Sequence, residues 1–158
     1  MNDVNWLTGI ELEQLVRKNA NLRTETSFLG VFAVNTLPLH ISQLPVLLIV
    51  NSDTSNLPGE HWRAIFITKT LHGEVFDSLA APVSYLLEKW MNTNTVKWTA
   101  STEMIQHPFV QSCGAFVVHY VLIRLSEKNL SSYTQKHFTV NKRQNEIYIR
   151  NYIHELKK

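Results

Sequence analysis

The chain has 158 residues, a hydrophobic content of 44% and a formal net charge of +2, which fits one globular domain over residues 1–158 and excludes a disordered chain. Its apolar runs are far shorter than the ~20 residues of a membrane span, and its N-terminus does not read as a signal peptide. Cys113 is the only cysteine, which excludes an internal disulfide and leads us to expect an intracellular, reducing compartment.

The first third of the chain predicts a helix followed by two strands. Thr8 and Glu11 have the spacing of a capping box, and apolar residues recur at helical intervals over residues 9–19. Leu29–Val34 and Val46–Asn51 are typical of short strands. An amphipathic helix is therefore expected to precede the first two strands.

The middle of the chain predicts a hairpin and then a helix. Asn51–Glu60 is a polar loop, after which Trp62–Thr68 and Glu74–Asp77 are predicted strands. The glycine in Lys69–Gly73 indicates a hairpin turn between these two strands. Pro82–Met91 is a predicted helix, because proline is tolerated in the first turn of a helix.

The last third adds one strand and two helices. Thr95–Thr99 alternates apolar and polar residues, as a half-buried strand does. Gly114–Glu127 is apolar nearly all round, and its length favours a buried helix over a strand. Asn141–Leu156 carries an apolar stripe at helical spacing. Strands in the first two-thirds with helices around them indicate an α+β fold.

Charge is distributed unevenly along the chain. Residues 1–123 carry seven Lys/Arg and ten Asp/Glu, a net charge of −3, whereas residues 124–158 carry eight and three, a net charge of +5. This basic end could contact an anionic partner such as nucleic acid. Segments rich in charge more often form solvated surface without a specific partner, and we favour this interpretation for residues 124–158.

Cys113 stands where the long apolar helix is predicted to begin. A thiol attacks as the thiolate, which a nearby imidazolium or the N-terminus of a helix stabilises. Gly114, the next residue, would let a substrate come close to the backbone. The alternative is that Cys113 is a small buried hydrophobic residue, as most free cysteines are.

The base that would partner this thiol has to be one of seven histidines. Only His61 is predicted at a loop–strand junction, directly before Trp62, where a base is held rigidly and still faces a cleft. His119 lies in the apolar helix and is interpreted as a core residue, and His72 falls in an exposed turn. The prediction for the base is therefore His61.

Asp77 is the predicted partner of His61. A catalytic histidine needs an acceptor on its second ring nitrogen, which fixes its tautomer and orientation. Asp77 ends the strand that should pair with the strand following His61, so a hairpin from 61 to 77 would bring the two side chains together. The alternative role for Asp77 is a turn or helix cap, and one carboxylate could fill both roles.

A glutamine ahead of Cys113 could stabilise an oxyanion. Gln106 lies seven residues before Cys113, and its side-chain amide could act together with the Cys113 backbone N–H. Gln111 is the rival for this role, and the residues by themselves do not separate the two.

The candidate residues occur in one order along the chain: His61-Trp62, Asp77-Ser78, Gln106 and Cys113-Gly114. This order resembles the adenain family of adenovirus maturation proteases and its relatives, the SUMO-specific proteases, whereas papain runs in the opposite order. The segments PGEHWRAIFI and QHPFVQSCGAFVVHYVLIRL are similar to the family's His-Trp strand and nucleophile helix. The seven-residue step from Gln106 to Cys113 matches the adenain spacing, which favours Gln106 over Gln111.

The resemblance implies the papain-like fold in its adenain and SUMO-protease arrangement, an α+β fold with a central mixed sheet flanked by helices. It also implies a cysteine endopeptidase that needs no metal. The residues that carry over are the catalytic set His61, Asp77, Gln106 and Cys113, and two residues expected beside the substrate, Trp62 and Gly114.

The chain departs from adenain at two points. Asp77 stands where adenovirus enzymes usually carry Glu, although the SUMO proteases carry Asp there. The chain has no second cysteine, whereas adenain tethers its activating peptide through one. The resemblance thus implies no cofactor, unless a peptide or DNA activator binds without a covalent link.

The compact chain favours a viral or virus-derived protease that cuts capsid or precursor proteins during virion maturation. We expect a monomer that acts in the host cytoplasm or nucleus or is packaged in the virion. Two alternatives stay open. One is a deubiquitinase or isopeptidase for SUMO or Nedd8 conjugates, and the other is a non-catalytic binding module on the same fold.

Overall fold

A five-stranded mixed sheet forms the centre of the computed structural model, which describes residues 7–20, 26–52 and 61–158. Neighbouring strands follow the chain order: β1 (Ser27–Ala33), β2 (Val46–Asn51), β3 (Trp62–Ile67), β4 (His72–Phe76) and β5 (Lys97–Ala100). The outer pairs β1–β2 and β4–β5 are parallel, and the inner pairs β2–β3 and β3–β4 are antiparallel.

Helices cover both faces of the sheet. They are α1 (Gly9–Asn19), α2 (Tyr85–Asn94), α3 (Cys113–Ile123), α4 (Leu130–His137) and α5 (Lys142–Leu156). One face packs in a hydrophobic core with α1, α3, α4 and α5, and the other face packs with α2 and with the segment after β1. Within the described ranges, the helices are too short or too polar to span a bilayer.

Helix α3 lies between the sheet and the outer helices. It contacts β3 on one side and α1 and α5 on the other. Every residue from Cys113 to Val121 is buried, which explains why this helix is apolar all round rather than amphipathic. The predicted buried helix over Gly114–Glu127 is therefore confirmed as a helix. Its α-helical part ends at Ile123 and is followed by a 3₁₀ turn over Arg124–Ser126.

The β3–β4 hairpin brings two chain positions to one end of the sheet. The antiparallel register pairs Ala64 with Phe76 and Ile67 with Gly73. His61 directly precedes β3, and Asp77 directly follows β4, so both lie at the same end of the hairpin. The strand predicted over Glu74–Asp77 lies closer to the N-terminus than expected. It begins at His72 and ends one residue before Asp77.

Several other predicted elements agree with the structure. Helix α1 has the predicted bounds, and its capping box between Thr8 and Glu11 is present. Strand β2 also has the predicted bounds, whereas β1 and β5 are shifted by one or two residues. The predicted polar loop Asn51–Glu60 begins with a residue of β2, and its residues 53–60 lie outside the described part of the chain.

One predicted helix begins later than expected, and one observed helix was not predicted. The helix predicted over Pro82–Met91 begins instead at Tyr85, because the Ser84 hydroxyl accepts a hydrogen bond from the Leu87 N–H and caps the helix there. Helix α4 was not predicted from the sequence. It is only eight residues long and buries just Leu130 and Tyr133, so its hydrophobic periodicity is too short to detect.

A buried ion pair fixes the C-terminal end of α3 to the sheet. The Arg124 guanidinium, just after α3, donates from Nε and Nη2 to the two carboxylate oxygens of Glu74 on β4, at 2.6 and 2.7 Å. The Tyr120 hydroxyl donates to the same carboxylate at 2.6 Å. Since all three residues are buried, these bonds hold α3 at a fixed position over β4.

We predict that Arg124→Leu lowers the free energy of unfolding by about 3–5 kcal/mol, because it leaves the Glu74 carboxylate buried without its cation. Denaturant unfolding of the purified chain measures this change. The double variant Glu74→Leu/Arg124→Leu is the control and should recover a large part of the loss. A cost below about 1 kcal/mol for Arg124→Leu, as for an exposed ion pair, would contradict the prediction.

Candidate active site

His61 and Asp77 are in direct contact at the end of the β3–β4 hairpin. The His61 Nε2 atom lies 2.6 Å from Asp77 Oδ1, and both side chains are largely buried. The contact predicted from the 61–77 hairpin is therefore present. Because Asp77 occupies Nε2, the Nδ1 atom is the ring nitrogen left for a second partner.

The Asp77 carboxylate accepts hydrogen bonds from three further groups. The Leu79 N–H donates to Oδ1 at 2.8 Å, and the Ala81 N–H donates to Oδ2 at 3.2 Å. The Arg63 Nε donates to Oδ2 at 3.0 Å. Asp77 thus caps the turn that follows β4 and also contacts His61, so one side chain makes both of the predicted contacts.

Asp77 carries its negative charge inside the protein. Burial raises its pKa, but the hydrogen bond to His61, the charges of His61 and Arg63, and the Leu79 N–H outweigh burial, so the net effect is a lowered pKa. The Arg63 guanidinium is itself buried and donates to the Pro82 carbonyl at 3.2 Å. A buried cation therefore binds the carboxylate oxygen of Asp77 that His61 does not contact.

Cys113 is the second partner of His61. Burial lowers the pKa of His61, but the hydrogen bonds to Asp77 and Cys113, together with the electrostatic attraction of both groups, raise it to about 9. The imidazole is therefore protonated at neutral pH. The buried His119 differs, because burial lowers its pKa to about 3, and its ring lies between the hydroxyls of Tyr133 and Tyr148. The interpretation of His119 as a core residue is confirmed.

Cys113 is the first residue of α3 and is 8% exposed. The preceding residue, Ser112, occupies the N-cap position, but its hydroxyl makes no hydrogen bond to the helix N-terminus. It donates instead to Glu146 Oε1 on α5, at 2.8 Å. The N-terminal amides of α3 are thus left without a side-chain cap next to the thiol.

Gln106 lies on the approach loop, which we define as residues 101–112 between β5 and α3. Its amide oxygen accepts a hydrogen bond from the Ser78 hydroxyl at 2.5 Å, and its Nε2 donates to the Val110 carbonyl at 2.6 Å. The side chain is buried, whereas Gln111 on the same loop is exposed. The structure therefore fixes the amide of Gln106 beside Ser78, which follows Asp77 in the chain.

Trp62 and Gly114 contact each other close to Cys113. A Cβ atom at Gly114 would lie 3.2 Å from Leu7 Cβ, 3.3 Å from Leu12 Cδ2 and 3.5 Å from Trp62 Cδ1. Close packing of α1 and Trp62 against α3 therefore accounts for this glycine. A direct contact of Gly114 or Trp62 with substrate stays a prediction.

Three polar residues beside the site are absent from the sequence-based predictions. Arg63 falls within the predicted strand Trp62–Thr68, where a charged residue among apolar ones is itself a signal that a partner is present. Asn145 and Glu146 fall within the predicted helix Asn141–Leu156, and both are buried. Their partners are far away in the chain, so local patterns could not identify them.

The remaining candidate features are a metal site and the basic end of the chain. Within the described ranges, no group of three or more His, Cys, Asp or Glu side chains is arranged to hold a metal ion. In the basic end of the chain, Arg124, Lys136 and Lys158 form ion pairs with Glu74, Glu127 and Glu155. Glu127 and Glu155 are already counted in the net charge of +5 for residues 124–158, so only the pair with Glu74 lowers the positive charge that this segment could offer to an anionic partner.

The fold is similar to that of a known protease. Two crystal structures of the ASFV pS273R protease match with TM-scores of 0.69 and 0.70, at 16% and 17% identity, over 94% of this chain and 68% and 67% of theirs. The central domain of the uncharacterized Lpg1148 protein from Legionella pneumophila matches with a TM-score of 0.56 at 13% identity, over 96% of both chains. No protein-family model and no curated protein sequence matches the chain.

At these identities the likeness shows the fold alone. The chain has the α+β fold of the ASFV protease, with a mixed five-stranded sheet between helices. The predicted fold, the papain-like fold in its adenain and SUMO-protease arrangement, is thereby confirmed.

We predict that Asp77→Asn lowers the pKa of His61 from about 9. The substitution removes the negative charge that favours the imidazolium, while the burial that disfavours it remains. An NMR titration of the His61 ring measures the change. Glu103→Gln, which neutralises an exposed carboxylate on the approach loop, is the control and should leave this pKa unchanged. An equal pKa in Asp77→Asn and the unmodified chain would show that Asp77 does not stabilise the imidazolium.

Proposed function

We propose that this chain is a cysteine endopeptidase in which Cys113 is the nucleophile. The observation that carries the proposal is the position of His61, which lies 2.6 Å from Asp77 and whose pKa is raised, against the effect of burial, by Asp77 and by Cys113, the first residue of a buried helix. This is the arrangement of nucleophile, base and orienting acid that acyl transfer requires. The shared fold with the ASFV protease supports the same class of reaction.

In the proposed reaction, His61 and Cys113 form an imidazolium–thiolate pair before substrate binds. The Cys113 sulfur attacks the carbonyl carbon of a peptide bond and forms a tetrahedral intermediate. The C–N bond then breaks, and the His61 imidazolium gives its proton to the leaving amine. Water, deprotonated by the now neutral His61, attacks the thioester and releases the acyl group and the thiolate.

Gln106 is the proposed side-chain donor to the oxyanion, together with the Cys113 backbone N–H. The Gln106 amide has two N–H groups, and one of them donates to the Val110 carbonyl. The second N–H is left to bind the oxyanion. Because Ser78 holds the amide oxygen, the amide is oriented before the reaction and does not need to reorganise during it.

Asp77 is the proposed orienting acid. Its contact to Nε2 holds the ring and leaves Nδ1 as the nitrogen that would meet the thiol. The Arg63 guanidinium keeps this carboxylate charged, since it lowers the pKa of Asp77. Asp77 therefore stabilises the imidazolium throughout the reaction without accepting its proton.

The proposed substrates are viral precursor or capsid proteins that are cut during virion maturation. The support for this finer assignment is the resemblance of the motifs to the adenain family, together with a fold shared with a viral protease. We propose a monomer that acts in a reducing compartment, where the single thiol stays reduced. The proposal needs no cofactor, and Trp62 and Gly114 are the proposed residues beside the bound substrate.

We predict that iodoacetamide labels Cys113 near neutral pH and abolishes peptide cleavage, because a thiolate is the reactive form. Mass spectrometry locates the label, and proteomic profiling with the purified chain identifies the cleaved bonds. Cys113→Ala, which has no thiol, is the control and should neither react nor cleave. Full activity of Cys113→Ala would refute the mechanism. Cleavage of ubiquitin-like fusions in place of precursor proteins would point to an isopeptidase.

We predict that Gln106→Ala lowers kcat by roughly 10²-fold or more, because it removes a preorganised oxyanion donor. Gln111→Ala, on the exposed part of the same loop, is the matched control and should have little effect. Steady-state kinetics on one cleaved peptide compares the two variants. A large loss in Gln111→Ala and none in Gln106→Ala would assign the oxyanion donor to Gln111.

A further inference from the structure

Helix α5 is joined to the approach loop through one buried carboxylate. The Glu146 Oε1 atom accepts a hydrogen bond from the His107 N–H at 2.9 Å and from the Ser112 hydroxyl at 2.8 Å. His107 follows Gln106, and Ser112 precedes Cys113. A single oxygen atom therefore ties together the two ends of the segment that separates the proposed oxyanion donor from the proposed nucleophile.

The neighbouring Asn145 strengthens the same connection. Its Nδ2 donates to the Ile105 carbonyl at 3.0 Å and to the Thr139 carbonyl at 2.9 Å, and its Oδ1 accepts from the Thr139 N–H at 2.9 Å. Asn145 and Glu146 are 2% and 7% exposed. Hydrogen bonds to a buried carboxylate are stronger than those between neutral groups, so Glu146 makes the firmer of the two attachments.

The contact with Glu146 also explains the unusual N-terminus of α3. A serine at the N-cap normally accepts a hydrogen bond from a backbone N–H in the first turn of the helix. Ser112 does not do so, and its hydroxyl points to Glu146 instead. The N–H groups beside Cys113 consequently stay open to a negative charge at the site.

We propose that Glu146 is a positioning residue for the reaction. It holds the approach loop so that Gln106 and the N-terminal amides of α3 face the same oxyanion. This inference rests on the proposed function, because it gives Glu146 a role in the same chemistry. Glu146 acts only through the residues that it orients and does not touch the substrate.

The test compares Glu146→Ala with Glu155→Ala, which removes an exposed glutamate from the same helix. We expect Glu146→Ala to lower kcat by about 10-fold or more with KM unchanged, since a displaced donor weakens the transition state and not substrate binding. Glu155→Ala should keep the wild-type kcat. A merely structural role would lower the melting temperature without a selective loss of kcat at temperatures where the variant is folded.

Ser112→Ala keeps the test decisive if Glu146→Ala does not fold. This variant removes one of the two bonds to Glu146 and leaves the bond to His107 in place. A several-fold lower kcat with unchanged KM is expected, together with faster amide hydrogen exchange at the start of α3. Wild-type kcat in folded Glu146→Ala, or in Ser112→Ala if the former is unfolded, would overturn the inference.

The proposed function fails in a different way. If the unmodified chain cleaves no peptide, or cleaves as well as Cys113→Ala, the protease assignment is wrong and the role of Glu146 falls with it. If cleavage depends on Cys113 but not on Glu146, the protease assignment stands and only the role of Glu146 is wrong.

Discussion

The Asp77 carboxylate is the group on which the candidate site depends. It accepts hydrogen bonds from His61, Arg63 and two backbone N–H groups in the turn after β4. A carboxylate with this many partners cannot rotate without breaking several bonds, so the turn, the guanidinium and the imidazole are fixed relative to one another. The β3–β4 pairing supplies the geometry, because its register pairs Ala64 with Phe76 and so brings residues 61–63 and Asp77 to the same end of the hairpin.

The proposed reaction requires helix α3 to be held as firmly as the hairpin, since Cys113 would have to meet His61 in a fixed geometry. Its C-terminal end is fixed to the sheet by the Glu74–Arg124 pair, and its N-terminal end is tied to α5 through Ser112 and Glu146. Apolar packing on all sides covers the turns between these ends. Packing by itself tolerates small sliding movements, whereas directional polar bonds at both ends do not.

Local signals in the sequence predicted most of the helices and strands and the His61–Asp77 contact, whereas the choice of Gln106 over Gln111 depended on the resemblance to adenain. Helix α1 and strand β2 were predicted with the observed bounds, because a capping box and a fully apolar run depend only on neighbouring residues. The His61–Asp77 contact followed from hairpin geometry. The Arg63–Asp77 contact lies on the same hairpin and was open to the same geometric argument. The role of Glu146 could not be predicted, because its partners lie 39 and 34 positions away and meet it only in the folded chain.

The charges of the site form an alternating series that explains how it can be buried. Arg63 is positive, Asp77 negative and the His61 imidazolium positive, and in the proposed ion-pair state the Cys113 thiolate is negative. Each charge taken from water costs several kcal/mol, which only a close opposite charge offsets. In this series every charge has such a neighbour, and the four sum to zero. Without Arg63, the Asp77 carboxylate would have His61 as its one charged partner, and loss of the imidazolium proton in the proposed reaction would leave a buried negative charge without a cation. The guanidinium bound to Asp77 Oδ2 would let His61 lose and regain its proton in that reaction while the carboxylate stays paired.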